Sequence, residues 1–241
     1  MPYRIDKRFH SLLLLACCIS GLGAQTTPAP EQKTTVIARL APVHPEAAHK
    51  TESSRPSVIW LQPLRAADTP IVTPGNFTLM QKNKMFTPHL LVVPVGSSVA
   101  FPNADPFFHN VFSLFDGRRF DLGLYEAGST RSVVFSREGV SYIFCNIHSE
   151  MSAVVIALST PYYGIAGPEG EFHLKDVPAG EYELHVWVEG EKQSSLDRLS
   201  RRVHIAGDST DLGGITTNAT DRQQHLNKFG RPYEPDSHPI Y

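Results

Sequence analysis

Ser141-Tyr-Ile-Phe-Cys145-Asn-Ile-His148-Ser-Glu-Met151 places a thiol, an imidazole and a thioether within seven residues. The residues before Cys145 are β-rich and alternate, with Val140, Tyr142 and Phe144 on one side and Ile143 on the other. A β-branched run, Val154-Val155-Ile156, follows Met151. The three side chains are therefore expected on a short loop between two strands. One Cys sulfur, two His nitrogens and a weakly held Met sulfur make a copper site suited to electron transfer. One His is then missing. His109, in Phe107-Phe108-His109-Asn110-Val111, is the best candidate, 36 residues before Cys145.

Outward from this stretch, turn signals separate further strand-like runs. Phe77 to Met80, Leu90 to Val95 and Val99 to Phe101 read as strands, with Gly96-Ser97-Ser98 turning between the last two. Pro94 inside its run predicts an edge strand or a bulge, since proline has no N–H to give a sheet. Phe101-Pro102-Asn103-Ala104-Asp105-Pro106 is a turn-rich loop leading to His109, and Asp116-Gly117 marks a hairpin. Arg131 to Phe135 is another strand, closed by Glu138-Gly139. No long amphipathic helix is read between residues 76 and 159. Short strands punctuated in this way predict an all-β sandwich or barrel. Downstream, 161–170 reads as a connector. Phe172 and Leu174, then Tyr182, Leu184 and Val186, alternate with polar residues about a turn at 176–180. That pattern predicts a β-hairpin with one buried face. Arg202 to Ile205 reads as a further strand, and 216–241 as a flexible polar tail.

The N-terminal residues point to export. Arg4, Lys7 and Arg8 precede an apolar run from Leu12 to Ile19, then Gly21, Gly23 and Ala24. This is the pattern of a signal peptide over 1–24, with an apolar centre too short to cross a bilayer. Lipoprotein processing at Cys17 ranks second, because the apolar run before it is very short. Residues 25–75 form a linker with strand-like runs at Thr35–Leu40 and Ser57–Leu61, which are expected to complete a C-terminal β-unit spanning 160–215. The site-bearing domain is expected over 76–159. Cleavage after Ala24 also removes Cys17 and Cys18, leaving Cys145 as the only cysteine. A chain with one cysteine makes no internal disulfide. A buried free thiol is the plain alternative, and the neighbours of Cys145 favour a metal.

Several function classes are excluded. A formal charge of −2 over 241 residues leaves no footprint for nucleic acid. Gly-x-Ser-x-Gly, a Walker loop and His-Glu-x-x-His are absent, which removes the common hydrolase and nucleotide motifs. Zinc sites prefer Cys and His over Met, and no Cys-x2-Cys is present. Haem attachment needs Cys-x2-Cys-His, also absent. There are eleven His, so any one alone reads as structural. His89 is the closest rival to His109, and His173, His185 and His204 read as ordinary strand residues. Met151 alone would be a core methionine. The weight lies in the joint pattern.

Phe101-Pro-Asn103-Ala-Asp105, His109-Asn110-Val111 and Tyr142-Ile-Phe-Cys145-Asn-Ile-His148-Ser-Glu-Met151 together resemble a cupredoxin. The Cys-x2-His-x2-Met spacing resembles amicyanin more than plastocyanin. The wider chain is similar to exported cupredoxin-like proteins of the methylamine-utilisation type. Its segment Gly170-x-Phe-x-Leu-x-Asp-Val-Pro-x-Gly-x-Tyr-x-Leu resembles carboxypeptidase regulatory-like β-units. The resemblance implies a cupredoxin-like Greek-key β-sandwich plus a second small β-sandwich-like unit. It implies one copper ion on His109, Cys145, His148 and axial Met151, with Asn110 hydrogen-bonded to the Cys-bearing loop. It also implies a one-electron carrier rather than an enzyme, periplasmic or extracellular, with no transmembrane segment in the mature chain. Electrons would pass through His148 to a redox partner protein, with Ile147, Phe107 and Phe108 as an apolar docking patch; core packing is the competing reading for the two Phe. The alternatives are a mononuclear copper enzyme with an open position, and an envelope binding or structural protein that stores copper.

Overall fold

Ser152-Ala-Val-Val-Ile-Ala-Leu158 is apolar on both faces, and the chain folds so that both are buried. The computed structural model describes residues 32–42, 55–65, 68–114, 117–217 and 226–233. The expected signal at 1–24 lies outside them. The described chain begins with β1 (Lys33–Pro42), β2 (Ser57–Pro63), β3 (Asn76–Thr78), β4 (Met80–Lys82), β5 (Met85–Thr87) and β6 (Leu90–Pro94). It continues through β7 (Ser98–Pro102), β8 (His109–Ser113), β9 (Phe120–Tyr125), β10 (Thr130–Val134), β11 (Gly139–Phe144) and β12 (Ser152–Leu158). It ends with β13 (Tyr163–Ile165), β14 (Glu171–Pro178), β15 (Gly180–Val188), helix α1 (Gln193–Leu199), β16 (Arg201–Ile205) and β17 (Ser209–Thr217). The protein is all-β apart from that one short helix among the described residues, and no described helix is long and apolar enough to cross a membrane.

Four main sheets make two sandwiches. In the first, a five-stranded sheet in the order β6-β12-β11-β8-β9 faces a three-stranded sheet, β10-β7-β3, and the chain moves between them in Greek-key fashion. Val99, Phe101 and Val133 pack there against Val111, Ile143 and Val155. Pro94 lies on β6, an edge strand, where a missing N–H costs least. In the second sandwich, β14-β1-β17 faces β13-β2-β15-β16. Val154, Ile156 and Leu158 on the far face of β12 join that second core with Ile59, Phe172 and Val186. One strand thus supplies both cores, which explains its unbroken apolar run. The Trp187 indole N–H donates to the Tyr142 hydroxyl at 3.1 Å and ties β15 to β11.

Two expectations are corrected, and one segment makes contacts that the sequence did not suggest. The segment about 176–180 is not a hairpin, because β14 and β15 do not pair with each other. Strand β14 pairs with β1, and both edges of β15 are taken by β2 and β16. The chain crosses between sheets at Ala179, so Phe172 and Leu174 still share one core with Tyr182 and Leu184. Alternation specifies a buried face, and it is silent on which edge bonds to what. The 161–170 connector contains β13, which pairs with β2. Finally, residues 226–233, within the segment read as a flexible tail, make specific contacts with the Cys145 loop. Strand β17 and helix α1 were not expected. Gly213 and Gly214 interrupt the alternation of β17, and only Leu196 of the helix is buried.

Candidate metal centre

Strand β11 ends at Phe144, so Cys145 leaves the sheet at its rim, and β12 resumes at Ser152. The loop between them is closed on itself. The Cys145 N–H donates to the Met151 carbonyl at 3.1 Å, and the Met151 N–H to the His148 carbonyl at 3.1 Å. His109 opens β8, the neighbour of β11 in the sheet. The two neighbouring strands therefore deliver His109 and Cys145 to one end of the sandwich, and both are fully buried.

The side chains converge. Cys145 Sγ lies 3.7 Å from His109 Nδ1 and 3.5 Å from His148 Nδ1. The three ligand atoms all fall within 4.8 Å of one another. The imidazole rings meet edge to face with centroids 4.9 Å apart. Met151 is fully buried in the same apolar cluster as Cys145.

Asp105 fixes His109. Its Oδ2 accepts a hydrogen bond from His109 Nε2 at 2.9 Å, which assigns the ring proton to Nε2 and leaves the Nδ1 lone pair facing the sulfur. The carboxylate also accepts the N–H groups of Asn83 at 2.6 Å and Lys84 at 2.9 Å. Both residues have φ near +55°, the two-residue turn that closes β4 onto β5 and points successive N–H groups one way. Burial pushes the Asp105 carboxyl up, but the Lys84 and Asn83 donors and the His109 ring together hold it below its ordinary value. Burial pulls His109 below its ordinary value, outweighing Asp105, so the ring is neutral at pH 7 and able to bind a metal. The loop carrying Asp105 is pinned in turn. Asn103 donates to the Phe107 carbonyl at 2.7 Å and accepts the Asp105 N–H at 3.0 Å. Tyr125, opposite His109 on β9, donates to the Phe101 carbonyl at 2.9 Å, and burial pushes its phenol up to about 12.

Around the sulfur, burial raises the Cys145 thiol above its ordinary value, while the backbone N–H groups of Asn110, Ile147 and His148 pull the other way. Asn110 thus reaches the Cys-bearing loop through its backbone. Its side chain turns away and donates to Asp121 Oδ1 at 2.7 Å. Phe107 packs against both imidazoles, with centroid distances of 5.2 Å to His109 and 5.7 Å to His148. Phe108 and Ile147 are exposed. The rival His89 is elsewhere, bonded to the Ser152 carbonyl at 3.0 Å and to Glu189 at 2.7 Å.

The donor set can be tested against a metal. Bonds of about 2.0 Å to nitrogen and about 2.3 Å to sulfur, at trigonal to tetrahedral angles, place S and N roughly 3.5–3.8 Å apart. Both observed separations match. Sequence reasoning did not assign roles to Asp105, Asp121, Lys228 or Tyr233. Asp105 lies four residues before His109 in the turn-rich loop, but its other partners, Asn83 and Lys84, are distant in sequence. For Lys228 and Tyr233 no local signal existed.

No protein-family model matches the chain, and no curated protein does. Solved structures do. A copper-containing nitrite reductase from Thermus scotoductus SA-01 is 22% identical over 40% of this chain, with a TM-score of 0.34; the match spans 25% of the reductase. A purple cupredoxin from Nitrosopumilus maritimus is 24% identical over 35% of this chain and 99% of its own, with a TM-score of 0.31. A reduced amicyanin variant is 22% identical over 40% of this chain and 92% of its own, with a TM-score of 0.32. At these scores the side-chain geometry, and not the likeness, has to carry a functional reading.

Proposed function

We propose that His109, Cys145 and His148 hold one copper ion, with the Met151 thioether as a weak fourth ligand, and that the protein is an exported one-electron carrier. The observation that carries this reading is the buried Sγ with two imidazole nitrogens at 3.7 and 3.5 Å. A thiolate with two imidazoles and a thioether is a copper-selecting set. When bound, copper supplies one-electron chemistry between Cu(II) and Cu(I).

The chain's own residues supply the rest. Cys145 gives up its thiol proton on metal binding. Asp105 keeps the His109 proton on Nε2, so Nδ1 stays free to ligate. The N–H groups of Asn110, Ile147 and His148 point at the sulfur and fix its position. Phe107 shields both rings from water on one side. A centre held this tightly changes oxidation state with little movement. His148 is the least buried of the three, and the exposed Ile147 and Phe108 beside the ligands make an apolar surface for a redox partner protein. On this reading 76–159 is the redox domain, and the sandwich formed by β1 and β2 with 160–217, similar to a carboxypeptidase regulatory-like unit, braces it through β12.

Two measurements test the proposal together. Copper analysis after gel filtration should give one ion per chain, lost in His109→Ala. Voltammetry of the loaded protein should show a reversible one-electron wave. Bound copper that does not cycle would favour storage, and binding undiminished in His109→Ala would place the metal elsewhere.

A further inference from the structure

We propose that residues 226–233 are a positioning strap for the Cys145 loop; the proposal builds on the metal reading above. Three hydrogen bonds fasten the strap. The Tyr233 hydroxyl donates to the Cys145 carbonyl at 2.6 Å. The Lys228 N–H donates to Asn146 Oδ1 at 2.9 Å. The Lys228 ammonium donates to Asp121 Oδ2 at 2.8 Å. Two of these bonds land on Cys145 and the residue after it, although the strap is more than eighty positions away in sequence.

The segment is built for this contact. Asn227 Oδ1 accepts the N–H groups of Phe229 at 3.0 Å and Arg231 at 3.1 Å, and the Asn227 carbonyl accepts the Gly230 N–H at 2.9 Å. Gly230 has φ +71°, a conformation that glycine adopts without strain. The result is a compact turn that presents Lys228 at one end and Tyr233 at the other.

The strap reaches the sulfur by two routes. The first is direct, through the carbonyl of Cys145. The second runs through Asp121, whose Oδ1 holds the Asn110 side chain at 2.7 Å and the Gly123 N–H at 2.8 Å. The Asn110 N–H is a donor to the Cys145 sulfur. Lys228 therefore fixes the carboxylate that fixes Asn110, while Tyr233 holds the Cys145 peptide from outside. Lys228 and Tyr233 touch no ligand atom; they act through groups that do. Outer partners of this kind typically change metal affinity by roughly 10–100-fold.

The test uses the full-length protein and three variants. Tyr233→Phe removes one hydroxyl and keeps the ring. Lys228→Met removes the ammonium and keeps the N–H on Asn146. Lys228→Arg retains a cation that can reach Asp121. In the metal-free proteins, amide hydrogen exchange over 145–151 should speed up in Tyr233→Phe and Lys228→Met, and return toward the parent in Lys228→Arg. In the copper-loaded proteins the first two should release copper to a chelator roughly 10-fold more readily and shift the sulfur-to-copper absorption. Unchanged exchange and an unchanged band in both variants overturn the strap, even if the melting temperature falls, because that pattern marks a merely stabilising contact. A parent protein with no copper band overturns the metal reading instead, and the exchange rates of the metal-free proteins still decide the strap.

Discussion

Asp105 decides which nitrogen of His109 faces the sulfur. Its hydrogen bond to Nε2 leaves Nδ1 3.7 Å from Cys145 Sγ with its lone pair available. Asp105→Asn puts a carboxamide in its place, which no longer enforces that proton position. Copper affinity should fall roughly 10–100-fold with the far-UV spectrum unchanged, measured by competition with a chelator of known strength. Cys145 gives a second expectation. Burial holds its thiol above the ordinary value, so the thiol is protonated at pH 7 and metal uptake must expel that proton. Apparent affinity should therefore rise by about tenfold per pH unit between pH 7 and 8. Calorimetry in buffers of different ionisation heat would count the released proton; a pH-independent affinity would show that the thiol is already ionised. At this scale the sequence was informative. The Cys-x2-His-x2-Met spacing and the choice of His109 over His89 name the three side chains that the fold brings together. The role of Asp105 was not readable, because its other partners are the N–H groups of Asn83 and Lys84, aligned by a left-handed turn some twenty residues upstream.

Strand β12 has two jobs at once. Ala153, Val155 and Ala157 face the core that contains Cys145, while Val154, Ile156 and Leu158 face the second core. Ile156→Ala should cost about 2–5 kcal/mol, by lost burial and by the cavity left behind. It should leave the metal centre intact, because the cavity opens on the far face. Urea unfolding reads the first effect and copper affinity the second; a large change in affinity would mean that the two faces are not independent. Elements were legible wherever alternation was strong, as in Phe172 to Val186 and in the strand before Cys145. Pairing was less so. The segment read as one hairpin is split between two sheets because the edges of β15 are taken by β2 and β16. Strand β17 escaped notice because Gly213-Gly214 breaks its pattern and its pairing with β1 shifts register between Ile37 and Arg39.

Across the whole molecule, the shared strand and the Trp187–Tyr142 bond couple the two sandwiches. They should unfold as one cooperative unit. Both tryptophans, Trp60 and Trp187, lie on the second sandwich, whereas bound copper would report on the first. Urea midpoints from tryptophan fluorescence and from the copper band should coincide; two separated transitions would show that each sandwich stands alone. This coupling could not be read from Val154-Val155-Ile156, since so short an apolar run looks the same beneath one sheet or between two. What the rest of the molecule supports is a buried sulfur between two imidazoles, and the visible spectrum of the protein loaded with Cu(II) interrogates that sulfur directly. An intense sulfur-to-copper charge-transfer band in the parent, absent from Cys145→Ser at equal copper content, is the expected result. A parent with no such band, or a band that persists in Cys145→Ser, would contradict it.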